Sequence, residues 1–504
     1  MSKKVVLIVL DGFGISHHVK GNAVQAAHPL HIQNLIKNYP HTELNASGKY
    51  VGLLPGFMGN SEVGHLHLGA GRLVEQDLVR IFNSIKDKSF FKNTVLVNVM
   101  NHANKNNKAL HLLGLLSDSG VHSHIDHLFA LLDTAKKLKV KQVYVHAITD
   151  GRDTPPKSAI KYICQLEKKL KQCNKNWKIA TVIGRFYAMD RDNRWNRPHR
   201  AYDAMVNCKG HYHDCAETAI AEAYKRGETD EFVYPTIVGG KTCNVKPGDS
   251  VVFFNFRSDR ARELTRAFVQ GKFNKFKTKN LVKLNFVCLT QYDPGIKAPV
   301  AFPPIVIKNT LGEVISRSYL KQFRLAETEK WAHVTYFFNG LSGKIFKSEY
   351  RLLIPSPKVR TYDIVPAMSA KQIMNQALSV LGYYDFVLIN FANPDMIGHT
   401  GDFNAAVKAI KAVDEFVGKI VSSALNKDYA IIITADHGNA EEMTYSDGSI
   451  CTSHTTNKVP LIIVSQPSVK LKKIKNAGLY NVAPTILKLM NIPKPAEMNK
   501  ESLV

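Results

Sequence analysis

The 504-residue sequence has no stretch approaching the ~20 uninterrupted apolar residues that a membrane-crossing helix requires, so a helical membrane protein is excluded and no membrane partner is expected. It has no CxxC pair. Seven cysteines stand apart at 164, 173, 208, 215, 243, 288 and 451. This odd, scattered set excludes a disulfide scaffold and fits reduced thiols in a cytoplasmic protein. Cys208 and Cys215, with His211 and His213 between them, have zinc-compatible side chains, but their crowded spacing matches no common zinc module. Repeats and low-complexity tracts are absent. The short apolar run after Lys3 and Lys4 stops at Asp11-Gly12 without a small-residue cleavage site, so it reads as a buried strand rather than a signal peptide. Acidic residues are also scarce: 42 Asp and Glu against 67 Lys and Arg leave a net charge of +25. Such an excess raises nucleic-acid binding as the rival class. The lysines are dispersed, as at 136, 137 and 139 or 168, 169 and 171, like solvated helix faces, and no aromatic-interleaved basic motif accompanies them. Nucleic acid is therefore not expected as a partner.

What remains is the composition of an ordinary globular protein, 45% hydrophobic and 22% charged, long enough for two to four domains. Short β-branched runs alternate with amphipathic segments, the pattern of an α/β protein with mainly parallel strands. The runs fall into two sets. One, at 5–10, 386–390, 430–434 and 459–464, comes from the two extremes of the chain; the other, at 109–115, 142–148, 179–183, 250–256 and 284–289, comes from the middle. Two domains, the second inserted into the first, let each set close its own sheet. The first crossing is expected after Gly69-Ala70-Gly71-Arg72 and the second near Pro303-Pro304.

Ligands of open α/β sheets bind beyond the carboxyl ends of the strands. At those positions the outer set carries Asp11, then Asp395 and His399, then Asp436 and His437, with His454 just before the last strand. Asp11 alone could be a turn former and Asp395 alone a helix cap. Carboxylate and imidazole recurring at three strand ends suit two Mn²⁺ or Zn²⁺ ions. Ser61, in the glycine-rich segment 59–65, is either a helix cap or a nucleophile at a helix start, and spacing alone does not decide. The inner strands are followed by His122, Asp153 and five arginines: 152, 185, 191, 257 and 260. Guanidinium forks match carboxylate and phosphate, so this set suits a small, doubly acidic substrate. His122, His124 and His127 with Asp126 could form a third metal site, with substrate hydrogen bonding preferred.

These residues lie in motifs at 10–12, 59–72, 117–124, 150–156, 184–197, 255–262, 326–335, 354–358, 390–401 and 434–441. Over essentially the full length they resemble the cofactor-independent (2,3-bisphosphoglycerate-independent) phosphoglycerate mutases of the alkaline phosphatase superfamily. The resemblance implies two three-layer α/β domains: a phosphatase-like metal-binding domain of residues 1–76 and 308–504, and an inserted transferase domain of residues 77–307. It implies that Asp11, Ser61, Asp436 and His437 hold one divalent ion and Asp395, His399 and His454 the other. Mn²⁺ is expected first, with Zn²⁺, Co²⁺ and Mg²⁺ as further fits. The implied substrate residues are His122, Arg152, Asp153, Arg185, Arg191, Arg257, Arg260 and Lys330, the last reached only through the resemblance. The implied activity is a glycolytic isomerase that interconverts 3- and 2-phosphoglycerate through phosphoserine at Ser61. It uses no bisphosphoglycerate, works as a monomer, and has Asp153 moving protons and Lys330 stabilising charge. A phosphatase or another phosphomutase of the same superfamily is the alternative. Two positions depart from the family pattern: His67 stands where Asn is expected and Phe13 where Trp is common.

Overall fold

The computed structural model describes residues 4–238 and 240–504. The chain forms two units, one built from the chain up to Gln76 together with Val306–Val504, the other from Asp77–Ile305. Each has its own sheet and its own hydrophobic core.

In the outer unit seven strands run in the order Glu349–Ile354, Gln322–Glu327, Phe386–Phe391, Lys4–Leu10, Tyr429–Thr434, Val459–Val464, His41–Leu44. The first five are mutually parallel and the last two pair antiparallel. Lys4–Leu10 is central, which explains its unbroken apolar run: a parallel strand covered on both faces has no solvent side to make polar. The helix Phe403–Leu425 packs on the neighbouring strand Tyr429–Thr434. Its Ala406, Ala409, Val413, Val417, Ile420 and Ala424 recur every three or four residues and are buried, and Asp402 caps its start by accepting from the Ala405 N–H.

The inserted unit holds eight strands in the order Val300–Phe302, Asn285–Thr290, Ser250–Phe253, Leu110–Leu115, Val143–Thr149, Lys178–Gly184, Thr236–Val238, His211–His213. All neighbours are parallel except Lys178–Gly184 with Thr236–Val238. Among the described residues no helix is long and apolar enough to cross a membrane.

The fold is α/β with mainly parallel sheets, as read from the alternation of runs. Strands not read from the sequence are either three or four residues long, as His41–Leu44, Thr236–Val238, His211–His213 and Val300–Phe302, or broken by charge. Gln322–Glu327 carries Arg324, fully buried with its guanidinium 4.4 Å from the Phe338 ring centre. A cation over an aromatic face hides inside a core strand while spoiling its hydropathy.

Candidate metal centre and arginine pocket

Beyond the carboxyl ends of three central strands of the outer sheet, Lys4–Leu10, Phe386–Phe391 and Tyr429–Thr434, come Asp11, Asp395 in the first turn of the helix Asn393–Gly398, and Asp436. Parallel pairing in register puts these strand ends side by side, so three carboxylates meet at one place; all three are buried. Ser61 opens the helix Ser61–Ala70, but Asn60 is its cap, accepting from the Val63 N–H. The cap reading of Ser61 is thus displaced by its neighbour, and the Ser61 hydroxyl turns inward. Its Oγ donates to Asp11 Oδ1 at 3.1 Å, lies 2.9 Å from His437 Nε2, and accepts from Lys330 Nζ at 2.8 Å. Asp11 is likewise more than a turn former: its carboxylate accepts from Ser61, Lys330 and Asn390. Asp395 caps nothing, for the helix Asn393–Gly398 starts at Ala392 without a side-chain cap.

Lys330 Nζ lies 2.5 Å from both Asp11 Oδ1 and Asp395 Oδ2. Burial favours the neutral amine, but Asp11, Asp395 and Asp436 outweigh it and hold the ammonium well above its usual range. Burial likewise opposes ionisation of Asp11 and Asp395, and Lys330 reverses the balance, so both carboxyls are held far down. His437 is raised to about 10: burial pulls it down, and Asp436, Asp395 and Asp11 override that. The cluster therefore binds positive charge strongly.

Two triplets place their ligand atoms within 4.8 Å of one another, Asp395 with His437 and His454, and Asp11 with His65 and Asp436. Asp436 Oδ2 is buried without a hydrogen bond. Three buried aspartates, a serine oxygen, imidazoles and an orphaned carboxylate oxygen are the donor set of a pair of divalent cations, so the residues fit the expected group. The grouping differs from the one implied by the resemblance. His437 Nε2 lies 3.5 Å from Asp11, 3.6 Å from Asp436 and 3.9 Å from Asp395, so it belongs by distance to either ion. His399 stands outside the tight triplets but near them, with Nε2 3.3 Å from Asp395 Oδ1 and 3.0 Å from His454 Nε2. Its pKa is raised, chiefly by the hydrogen bond to Asp395.

In the inserted unit, four adjacent parallel strands, Ser250–Phe253, Leu110–Leu115, Val143–Thr149 and Lys178–Gly184, precede the remaining candidates. Arg185 is buried and bridges Asp150 at 2.6 Å and Asp153 at 2.5 Å. His122 Nε2 sits 3.8 Å from Asp153, while its Nδ1 sits 3.7 Å from Asp259. Burial, then the charge of Arg185, lowers His122 to about 4, so the ring is neutral at pH 7. Asp259 also pairs with Arg191 and Arg257. Arg260 donates to the Met189 carbonyl, and its pKa is lowered by burial and by Arg191, Arg185 and Arg152. A guanidinium whose pKa is depressed by its arginine neighbours, as that of Arg260 is, marks a place short of negative charge, as an anion pocket is. Arg152 is half-exposed and reaches Glu231 at 3.4 Å.

Sequence reasoning passed over Asp150 and Asp259, the carboxylates that orient these arginines, and His65, Asn390, Asn439 and Glu441 in the outer unit. Asn439 donates to Asp395 Oδ1 at 2.8 Å, and Glu441 gathers the Gly14 and Asn439 N–H groups. Their one signal was position within the strand-end motifs. Neither Cys208, His211, His213 and Cys215 nor His122, His124 and His127 forms a metal-like group among the described residues. His127 packs instead between Phe82 and Phe256.

Fold and clusters together define a two-unit α/β protein with a cation-seeking centre on one sheet and an anion-seeking centre on the other. Known proteins agree. The profile described as BPG-independent PGAM N-terminus matches residues 81–294, and that described as type I phosphodiesterase / nucleotide pyrophosphatase matches residues 281–478. The chain is 51% identical over 508 residues to the 2,3-bisphosphoglycerate-independent phosphoglycerate mutase of Moorella thermoacetica, covering 100% of this chain and 99% of the relative. It is 52% identical over 512 residues to that of Clostridium botulinum strain Langeland, covering all of both. Its fold matches the crystal structure of Leishmania mexicana phosphoglycerate mutase at low cobalt concentration with a TM-score of 0.71 and 32% identity, over 100% of this chain and 98% of the other. The chain belongs to the 2,3-bisphosphoglycerate-independent phosphoglycerate mutase family.

Proposed function

We propose that the protein interconverts 3-phosphoglycerate and 2-phosphoglycerate without bisphosphoglycerate, by way of a phosphoserine at Ser61. The observation that carries this reading is the setting of Ser61 Oγ at a helix start, with Asp11, His437 and Lys330 all within 3.1 Å. Deprotonated Ser61 Oγ, facing the Lys330 ammonium, attacks phosphorus; the bond from phosphorus to the 3-oxygen of glycerate breaks, and that oxygen takes the proton that the 2-hydroxyl gives up. Glycerate turns while its carboxylate is held by the arginines, and its 2-oxygen takes the phosphoryl group back. Asp153 carries the proton between the two glycerate oxygens, oriented by Arg185 and facing the neutral His122. Lys330 places an ammonium on Ser61 Oγ, where charge changes hands. Asp11, Ser61, Asp436 and His437 with Asp395, His399 and His454 would hold two divalent ions, for which Mn²⁺ is the best fit. Those ions would supply Lewis-acid stabilisation of charge at Ser61 Oγ and on the phosphoryl group. The arginine pocket favours a mutase over a hydrolase, because a hydrolase has no need to retain glycerate. The reading includes a monomeric cytoplasmic enzyme whose partner is this small substrate.

The test is isomerisation by purified protein given Mn²⁺ and no bisphosphoglycerate, measured beside phosphate release. Isomerisation is expected, with loss on chelation and in Ser61→Ala. Activity persisting in Ser61→Ala would sink the phosphoserine route, and phosphate release without isomerisation would make the protein a phosphatase.

A further inference from the structure

Distance alone admits His65 to the ligand set of one ion, since its Nδ1 lies 3.2 Å from Asp436 Oδ2 and it shares a 4.8 Å triplet with Asp11 and Asp436. Hydrogen bonding excludes it. The Asn390 side chain comes within 2.8 Å of Asp11 Oδ2. A carboxylate only accepts, so the Asn390 amide must turn its NH₂ toward Asp11. The same nitrogen lies 3.1 Å from His65 Nε2, which must therefore offer a lone pair. A neutral imidazole with a bare Nε2 carries its hydrogen on Nδ1. Nδ1 is where a donor is needed, 2.9 Å from the Ser61 carbonyl, which accepts only, and near Asp436 Oδ2, which has no hydrogen bond of its own. His65 and Asn390 are fully buried, so water cannot substitute for any of these partners. An ion on Nδ1 would drive the hydrogen to Nε2, against the amide donor of Asn390.

We propose that Asn390 and His65 are positioning residues: Asn390 locks His65 as the Nδ1–H tautomer, which keeps it off the metal and makes it the donor that orients the Ser61 backbone. One amide thereby ties Asp11 directly, and the Ser61 carbonyl through the imidazole, to a single arrangement. The inference rests on the reading of Asp11 and Asp436 as ligands of one ion, and its first readout does not depend on mutase activity.

The experiment is nitrogen NMR of protein labelled with ¹⁵N-histidine, metal-free and loaded with diamagnetic Zn²⁺, the His65 signal being assigned by its loss in His65→Gln. A protonated Nδ1 and bare Nε2 are expected in both states. Asn390→Asp, which replaces the donor by an acceptor, is expected to bring a proton to Nε2, and Asn390→Leu to release a mixture of tautomers. By calorimetry His65→Ala and Asn390→Leu are expected to lose about 10- to 100-fold in Zn²⁺ affinity, as supporting partners of metal ligands do. A metal-bound Nδ1, an Nε2–H ring in the wild type, or a tautomer indifferent to Asn390→Asp would overturn the proposal. Absent mutase activity with the expected tautomers would instead fault the functional reading alone.

Discussion

Lys330 shows what three buried carboxylates demand. Its ammonium contacts Asp11, Asp395 and Ser61 at once, and no periodicity or strand-end rule picks it out. It follows a short turn after Gln322–Glu327, the strand whose buried arginine concealed it. Removing it leaves the aspartates uncompensated, a change that costs about 3–5 kcal/mol at buried pairs. Lys330→Met should therefore melt several degrees below wild type when metal-free, and Mn²⁺ should raise its midpoint more than that of wild type, as thermal unfolding with and without the ion will show. Asp153 makes a complementary case, because it is partly exposed and its proposed part is in chemistry more than in stability. Asp153→Asn is expected to lower kcat by roughly 10²- to 10⁴-fold with a smaller change in KM, the range for losing a proton-transfer group; steady-state kinetics decide it.

The helix Ser61–Ala70 joins the proposed nucleophile to the candidate metal centre by close approach. A Cβ on Gly64 would lie 2.6 Å from the Asp436 carbonyl oxygen and 2.7 Å from its Cβ, so the helix can touch that strand end only as glycine. Gly64→Ala should stay folded yet lose Mn²⁺ affinity and activity together, seen by titration calorimetry beside assay. Three residues on, His67 stands where the family pattern suggests Asn. Its Nδ1 donates to the Val63 carbonyl and its Nε2 accepts from the Val74 N–H, pinning the chain that leaves the helix. Burial lowers its pKa from 6.5 to about 4. The unfolded chain then takes up the proton more readily than the folded one, so the stability is fully present above pH 6.5 and is lost as pH falls toward 4. That difference is worth roughly 3 kcal/mol. His67→Asn should flatten the acid limb of a stability–pH curve measured in denaturant, at about 1 kcal/mol of stability at pH 7 for the weaker hold on Val74.

At the scale of the molecule, two sheets close two cores, and the residues proposed as metal ligands all belong to the unit built from both chain ends. Ligand binding stabilises only what it binds, by about 2.7 kcal/mol at a hundredfold excess over Kd. Calorimetry is expected to resolve two transitions, one rising with Mn²⁺ and falling with chelator, the other indifferent to both; a single transition moving as a whole would contradict it. The α/β class, nine of the strands and, at their ends, Asp11, Asp395, Asp436 and the arginines were legible in the sequence, because a parallel strand buried on both faces must be apolar and its carboxyl end is where polar side chains can emerge. Ser61 was legible only as one of two things, and Asn60 taking the cap removed one of them. The partners of each charge depended on tertiary structure: Lys330 among the aspartates, His437 within reach of three carboxylates, Asn390 dictating the tautomer of His65. Hydropathy is a property of each residue and its near neighbours. Charge compensation and hydrogen-bond direction belong to pairs hundreds of residues apart, and only packing brings those together.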